Sequence, residues 1–284
     1  MVIRCDIIRK DGYRRDIVSL ETVIAKTKKP VTKNDIKKGL RSLDISNVEV
    51  LMVHCKMSNF GWIVGGAQSI IEAIYEEMGA CATVVMPTQS SDNSNPVEWE
   101  QPAVPKEWHE LIKENMPGYN KILTPVRGMS EVVKVFAMQP NAIRSSHPQS
   151  SFIAIGRKAE WLMKDHHLEY SLGEGSPLQK FYAQDAKILC LGTSYDTVTA
   201  LHLSEYQSNY RETKLCEAAV VDCGERKWVQ YQDLALDSEI FEEIGASYEQ
   251  HFNVNKVKIG LAECMLLDMR SLIDYGTNYL FNKK

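Results

Sequence analysis

Residues 48–86 narrow the choice of fold more than any other stretch of the chain. Residues 48–54 form a largely apolar run, 61–66 a glycine-rich turn, 67–78 an amphipathic stretch at helical spacing that stops at Gly79, and 82–86 a second apolar run. That order predicts strand, helix, strand, with the strands parallel and joined by a crossover, and hence a sheet flanked by helices. Lys187–Leu191 is another short apolar run, ended by Gly192, after which apolar residues fall at Val198, Leu201 and Leu203. This reads as strand, turn, helix. Residues three apart share a helical face, so Thr199, His202 and Glu205 form a polar stripe near the helix start. Strand ends in α/β sheets are where ligands bind, although Asp196 and Thr197 in the same turn could also serve as helix caps.

The remaining elements are read more coarsely. A capped helix is expected over 31–43 and a short helix over 106–115, with helical or turn segments at 154–163 and 177–182. Strands are expected at 218–221 and 227–231, and helices at 238–249 and near 264–275. Segment 87–128 is a long stretch rich in Pro, Ser and Asn, and its Trp99 and Trp108 predict an ordered loop folded over the body.

A length of 284 residues fits one compact unit, with 1–30 as an N-terminal extension and 31–284 as a single domain. A net charge of −4 and a pI near 6.0 argue against nucleic acid as a partner. No apolar stretch approaches the roughly 20 residues of a membrane helix, and the first residues lack the apolar core of a secretory signal, so a cytoplasmic protein without membrane attachment is expected. The seven cysteines contain no C-x-x-C pair and read as reduced thiols. His109, His147, His166 and His167 lack metal-ligand spacing, so no metal is expected.

Several separated motifs occur in one order. They are Val53-His54-Cys55-Lys56-Met57-Ser58 with Gly61-Trp62-Ile63-Val64-Gly65-Gly66; Met86-Pro87-Thr88-Gln89-Ser90; Arg144-Ser145-Ser146-His147-Pro148; Gly173-Glu174-Gly175-Ser176-Pro177; and Thr199-Ala200-Leu201-His202-Leu203-Ser204-Glu205. From residue 28 onward the chain resembles the aminoglycoside 3-N-acetyltransferases. The resemblance implies an α/β fold with a central mixed, partly parallel sheet, distinct from the GNAT-type fold. It also implies acetyl transfer from acetyl-CoA to a small-molecule cationic amine, the 3-amino group of a 2-deoxystreptamine aminoglycoside or another small amine, and it allows a homodimer.

An amine that is protonated near pH 7 needs a base before it can attack, and His202 is the expected one, with Glu205 or Asp196 as its orienting carboxylate. By the same resemblance Lys56, Met57, Ser58, Thr88, Ser90, Gly128, Met129, Arg144, Ser145 and Ser146 line a coenzyme A groove. Physically, small residues admit a ligand to the backbone, hydroxyls bond it and arginine pairs with phosphate. Asp92, Trp99 and Thr199 are the expected acceptor contacts. Cys55-Lys56 stand where many relatives carry two small hydroxyl residues, which puts a hydroxyl contact there in question. A coenzyme A-binding module without turnover is the competing reading.

Overall fold

The structure, a computed structural model, describes residues 19–79, 81–100 and 102–283. Most of the expected N-terminal extension, residues 1–18, lies outside them. Among the described residues nine strands are present: β1 (Val50–Cys55), β2 (Thr83–Pro87), β3 (Ile143–Arg144), β4 (Phe152–Gly156), β5 (Lys187–Leu191), β6 (Thr213–Asp222), β7 (Glu225–Leu234), β8 (Asn255–Ile259) and β9 (Ala262–Asp268). The described residues also form the α-helices that connect or flank them: α1 (Leu20–Lys26), α2 (Lys33–Leu43), α3 (Gly66–Met78), α4 (His109–Asn115), α5 (Glu131–Ala137), α6 (Ala159–Met163), α7 (Pro177–Ala183), α8 (His202–Ser208), α9 (Phe241–His251) and α10 (Met269–Lys283).

Seven strands form one mixed sheet in the order β3-β4-β2-β1-β5-β9-β8. The three central strands are parallel, with Val50 opposite Thr83 and Leu51 opposite Lys187, whereas β4 and β9 flank them antiparallel. β1 is buried on both faces, as a continuous apolar run requires. Leu51 and Val53 face a cluster with Ile36 and Leu40 of α2, Ile70 and Ile74 of α3 and Phe136 of α5. Val50 and Met52 face the opposite cluster, with Phe181 of α7, Phe241 of α9 and Leu272 of α10. The result is a sheet between two helical layers, and the strand-helix-strand unit expected at 48–86 is its centre.

Two local expectations are corrected. Within 154–163, residues 154–156 belong to β4 and only Ala159–Met163 is helical, because pairing with β2 claims the short apolar run. Near 264–275, β9 continues to Asp268 before α10 begins, since a strand buried in the sheet and a helix that follows without a loop blend into one apolar pattern. Strands β3 and β8 had no counterpart in the sequence reading. β8 is an edge strand that carries Lys256 and Lys258 outward, a pattern that discourages further pairing and hides the strand signal.

Gly245 sets a close contact that matters for the site. A Cβ at this position of α9 would lie 2.1 Å from Cγ of Tyr195, whose ring is buried in the turn that leads to α8. Gly245→Ala should therefore destabilise the protein by about 1–3 kcal/mol through overpacking, read as a lower midpoint in urea. An unchanged midpoint would show that Tyr195 is free to move.

Candidate active site

β2, β1 and β5 lie side by side and parallel, so their C-terminal ends emerge at one edge. Three of the motif segments leave from there. A 3₁₀ turn at Met57–Phe60 follows β1, the long segment follows β2, and Gly192 (φ +68°) opens two 3₁₀ turns, Tyr195–Thr197 and Thr199–Leu201, that lead into α8. Lys56 N–H donates to Leu191 O at 2.9 Å and Asn59 Nδ2 donates to Gly192 O at 2.7 Å, which ties the first and third segments together.

α8 begins at His202 itself, and one turn brings Glu205 beneath it. His202 Nδ1 lies 2.6 Å from Glu205 Oε2, so with the carboxylate ionised Nδ1–H donates and Nε2 keeps the lone pair. The His202 side chain is 14% exposed and that of Glu205 is fully buried. The edge of the imidazole packs against Phe241 at 4.8 Å between ring centroids. Asp196, the other candidate partner, is exposed; it accepts from Ser194 Oγ at 2.7 Å and makes no bond to His202. Thr199 is buried in the turn just before the histidine.

Arg211 was not among the residues singled out. Asn209 ends α8 in the left-handed conformation (φ +51°) and folds the chain back, so that Arg211 Nε donates to Glu205 Oε1 at 2.6 Å. Its Nη2 donates to Asp237 O at 3.0 Å. No helical periodicity links position 211 to position 205, and the only local hint is an asparagine at a helix end.

Arg144 and its neighbours are placed differently from an open phosphate groove. Arg144 is 5% exposed, and its guanidinium donates to Thr88 Oγ1, Ser151 Oγ, Thr124 O, Thr88 O and Ser90 Oγ. Ser145 Oγ accepts from Phe152 N and contacts His166 Nδ1, while Ser146 Oγ donates to His166 O. These polar atoms are spent on one another, which makes Arg144 a clamp on the first turn of the long segment. Arg144→Met should leave several buried oxygens without a donor and cost about 3 kcal/mol, measured by urea unfolding. Full stability with weakened coenzyme A binding would instead assign it to the ligand.

Lys56 is exposed beside the half-buried Met57 and Ser58, and Gly65 and Gly66 open α3 without a side-chain cap. Gly128 adopts a positive φ of +67°, and Met129 packs partly against the core. The described residues of segment 87–128 fold chiefly onto the β6–β7 hairpin. Asn93 exchanges two bonds with Ala219, Tyr119 N–H donates to Ala219 O, and Lys113 pairs with Glu217 at 3.0 Å. Asp92 is paired with Arg127 at 2.8 Å, Trp99 is half-buried with Nε1 on Ser94 Oγ, and Trp108 is exposed. The hairpin reaches α8 through a hydrogen bond from Tyr206 to Asp233.

Burial decides the chemistry of the other groups at the strand ends. It raises the Cys55 thiol well above its usual range and Cys190 to about 12, so neither is a ready thiolate at neutral pH. His54 Nε2 is buried without a hydrogen-bond partner, and burial lowers His54 to about 4. A groove of about 510 Å³, rimmed by Lys28, Lys29, Lys38 and Lys258, includes no residue of the His202 cluster. Among the described residues no group of three or more His, Cys, Asp or Glu could hold a metal ion, and no helix is long and apolar enough to cross a membrane.

The geometry can be set beside known proteins. A crystal structure of YokD from Bacillus subtilis matches with a TM-score of 0.89 at 36% identity, covering 92% of this chain and 97% of that one. YokD is described as an SPbeta prophage-derived aminoglycoside N(3')-acetyltransferase-like protein, and its sequence aligns over 264 residues. Aminoglycoside N(3)-acetyltransferase IX of Micromonospora chalcea is 28% identical, with 88% of this chain and 94% of the relative aligned. The structure of AAC-IIIb in binary complex with CoASH matches with a TM-score of 0.79 at 25% identity, covering 90% of this chain and 98% of that one. With residues 52–281 matching the family profile described as aminoglycoside 3-N-acetyltransferase, the chain belongs to the aminoglycoside 3-N-acetyltransferase family.

Proposed function

We propose that the protein transfers the acetyl group of acetyl-CoA to an amine of an aminoglycoside or a similar small polyamine, with His202 as general base. The observation that carries this reading is the 2.6 Å contact between His202 Nδ1 and the fully buried Glu205, which leaves Nε2 as the basic nitrogen. When bound, acetyl-CoA supplies the activated acyl group. Lys56 to Ser58, with the uncapped start of α3 at Gly65 and Gly66, are the residues that fit it. A Cβ at Gly66 would meet nothing within 4 Å, and the first N–H groups of that helix attract anions. Gly128 and Met129 complete the expected lining, and Arg144 with Thr88, Ser90, Ser145 and Ser146 acts from behind by holding the wall.

His202 takes a proton from the acceptor amine through Nε2 and returns one to the departing sulfur. Glu205 fixes the tautomer and stabilises the imidazolium formed in between. Since Glu205 occupies the histidine, exposed Asp196 is left to attract the cationic acceptor, and Thr199 and Trp99 remain the further acceptor contacts proposed. AAC-VIa, a relative in fold, has been solved bound to sisomicin, which makes 2-deoxystreptamine drugs the first acceptors to test.

Calorimetry with coenzyme A and a thiol-release assay with acetyl-CoA, using these drugs and simple diamines, test the reading. Binding together with amine-dependent thiol release is expected. Binding without release for any amine would favour a coenzyme A-binding module. Shortening the tip of segment 87–128 should raise KM for the acceptor far more than for acetyl-CoA, and equal changes in both would assign the segment a structural role.

A further inference from the structure

We infer that Arg211 is a positioning residue that holds Glu205 as a carboxylate and thereby keeps Nε2 of His202 free to accept a proton. The inference rests on the general-base reading above. Glu205 has no exposed side-chain surface, and a carboxyl group in such a place takes up a proton unless a cation or several donors hold it ionised. A protonated Glu205 would donate to Nδ1 and push the ring proton to Nε2, which removes the base. Two contacts prevent this: Nδ1–H of His202 on Oε2 and Nε–H of Arg211 on Oε1, both at 2.6 Å.

The guanidinium is itself fixed. It donates from Nη2 to Asp237 O at 3.0 Å, lies 3.8 Å from the Asp237 carboxylate, and its Cζ sits 5.2 Å from the centre of the Tyr210 ring. Asp237 and Tyr210 are the charged and titratable groups that contact the Arg211 guanidinium, and on the other side Glu242 of α9 accepts the N–H of Asp196 in the turn before His202. Phe241 of α9 presents an uncharged edge to the imidazole, and Asp196 in the preceding turn is bonded to Ser194. Among the described residues Arg211 is the one Lys or Arg in contact with Glu205. Removing its charge makes the His202–Glu205 pair bind a proton more readily, whichever of the two carries it.

The test is a pH titration read in two ways, by ¹⁵N NMR of the His202 ring and by kcat/KM, in wild type, Arg211→Gln and Arg211→Lys. In Arg211→Gln both the ring titration and the acidic limb should move to higher pH. Arg211→Lys keeps the charge but loses the fork that spans Glu205 and Asp237, so it should restore the pH position with lower kcat. In Glu205→Gln, adding Arg211→Gln should move nothing further. An Arg211→Gln protein that loses stability or turnover while titrating as wild type would overturn the proposal. Should that variant not fold, the wild type decides alone, because a ring protonated at Nε2 at pH 7 contradicts it. A wild type that acetylates no amine would sink the proposed function, yet the ring titration would still report on Arg211.

Discussion

Replacing His202 with alanine should lower kcat by about 100- to 10,000-fold while coenzyme A affinity stays close to wild type. The imidazole is 14% exposed at the end of the turn that enters α8, and its loss removes the proton acceptor without opening the core. Because the base has less to do once the amine is already neutral, the deficit should narrow as pH rises. Glu205→Gln should lie between wild type and His202→Ala in turnover, since it keeps a hydrogen-bond partner for Nδ1 but no charge. Cys55→Ala and Cys190→Ala should lose far less, because burial holds both thiols protonated. A cysteine variant as impaired as His202→Ala would point to acetyl transfer through sulfur.

Stability should fall steeply as the medium becomes acidic. His147 Nδ1 accepts from the backbone N–H groups of Gln149 and Ser150 and its Nε2–H donates to Leu168 O. His166 donates from Nε2 to Ser171 O and receives Ser145 Oγ–H at Nδ1. Both rings are thus held neutral, with centroids 5.0 Å apart, and burial lowers them to about 4 and about 3 from the ordinary 6.5. The unfolded chain binds protons at these groups first, so stability is level above pH 6.5 and drops as pH falls from there toward 3. At pH 5 each ring contributes about 2 kcal/mol of the loss, at roughly 1.36 kcal/mol per pH unit. Buried His54 adds to the same trend. Thermal melts from pH 8 to pH 4 should show a plateau and then a marked decline. A melting temperature that is flat from pH 7 to pH 5 would contradict the neutral, buried assignment of these rings.

What the sequence made legible follows the range of the interactions involved. The strand-helix-strand unit at 48–86 and the 187–205 segment are local patterns, and each folds as its periodicity suggests. His202 and Glu205 are one helical turn apart, so their contact is also readable locally. Arg211 meets Glu205 only because Asn209 reverses the chain, which periodicity does not encode. The surroundings of Arg144 are not readable for a related reason: its partners Thr88 and Thr124 lie 56 and 20 residues away, and a buried clamp has the same sequence signature as a phosphate contact. The hairpin strands were expected at 218–221 and 227–231, and they run to Thr213–Asp222 and Glu225–Leu234 because cross-strand pairing carries polar residues into the ladder. Trp108 stays exposed since α4 buries none of its residues, whereas Trp99 is held by Ser94.

The most direct measurement takes mass spectra of acceptor and protein from one reaction with acetyl-CoA and sisomicin, run with wild type and with His202→Ala. Direct transfer by the His202–Glu205 pair predicts a singly acetylated amine with wild type, almost none with the variant, and unmodified protein in both. Sisomicin left unmodified by wild type, or an acetylated protein that passes its acetyl group to added amine, would contradict it.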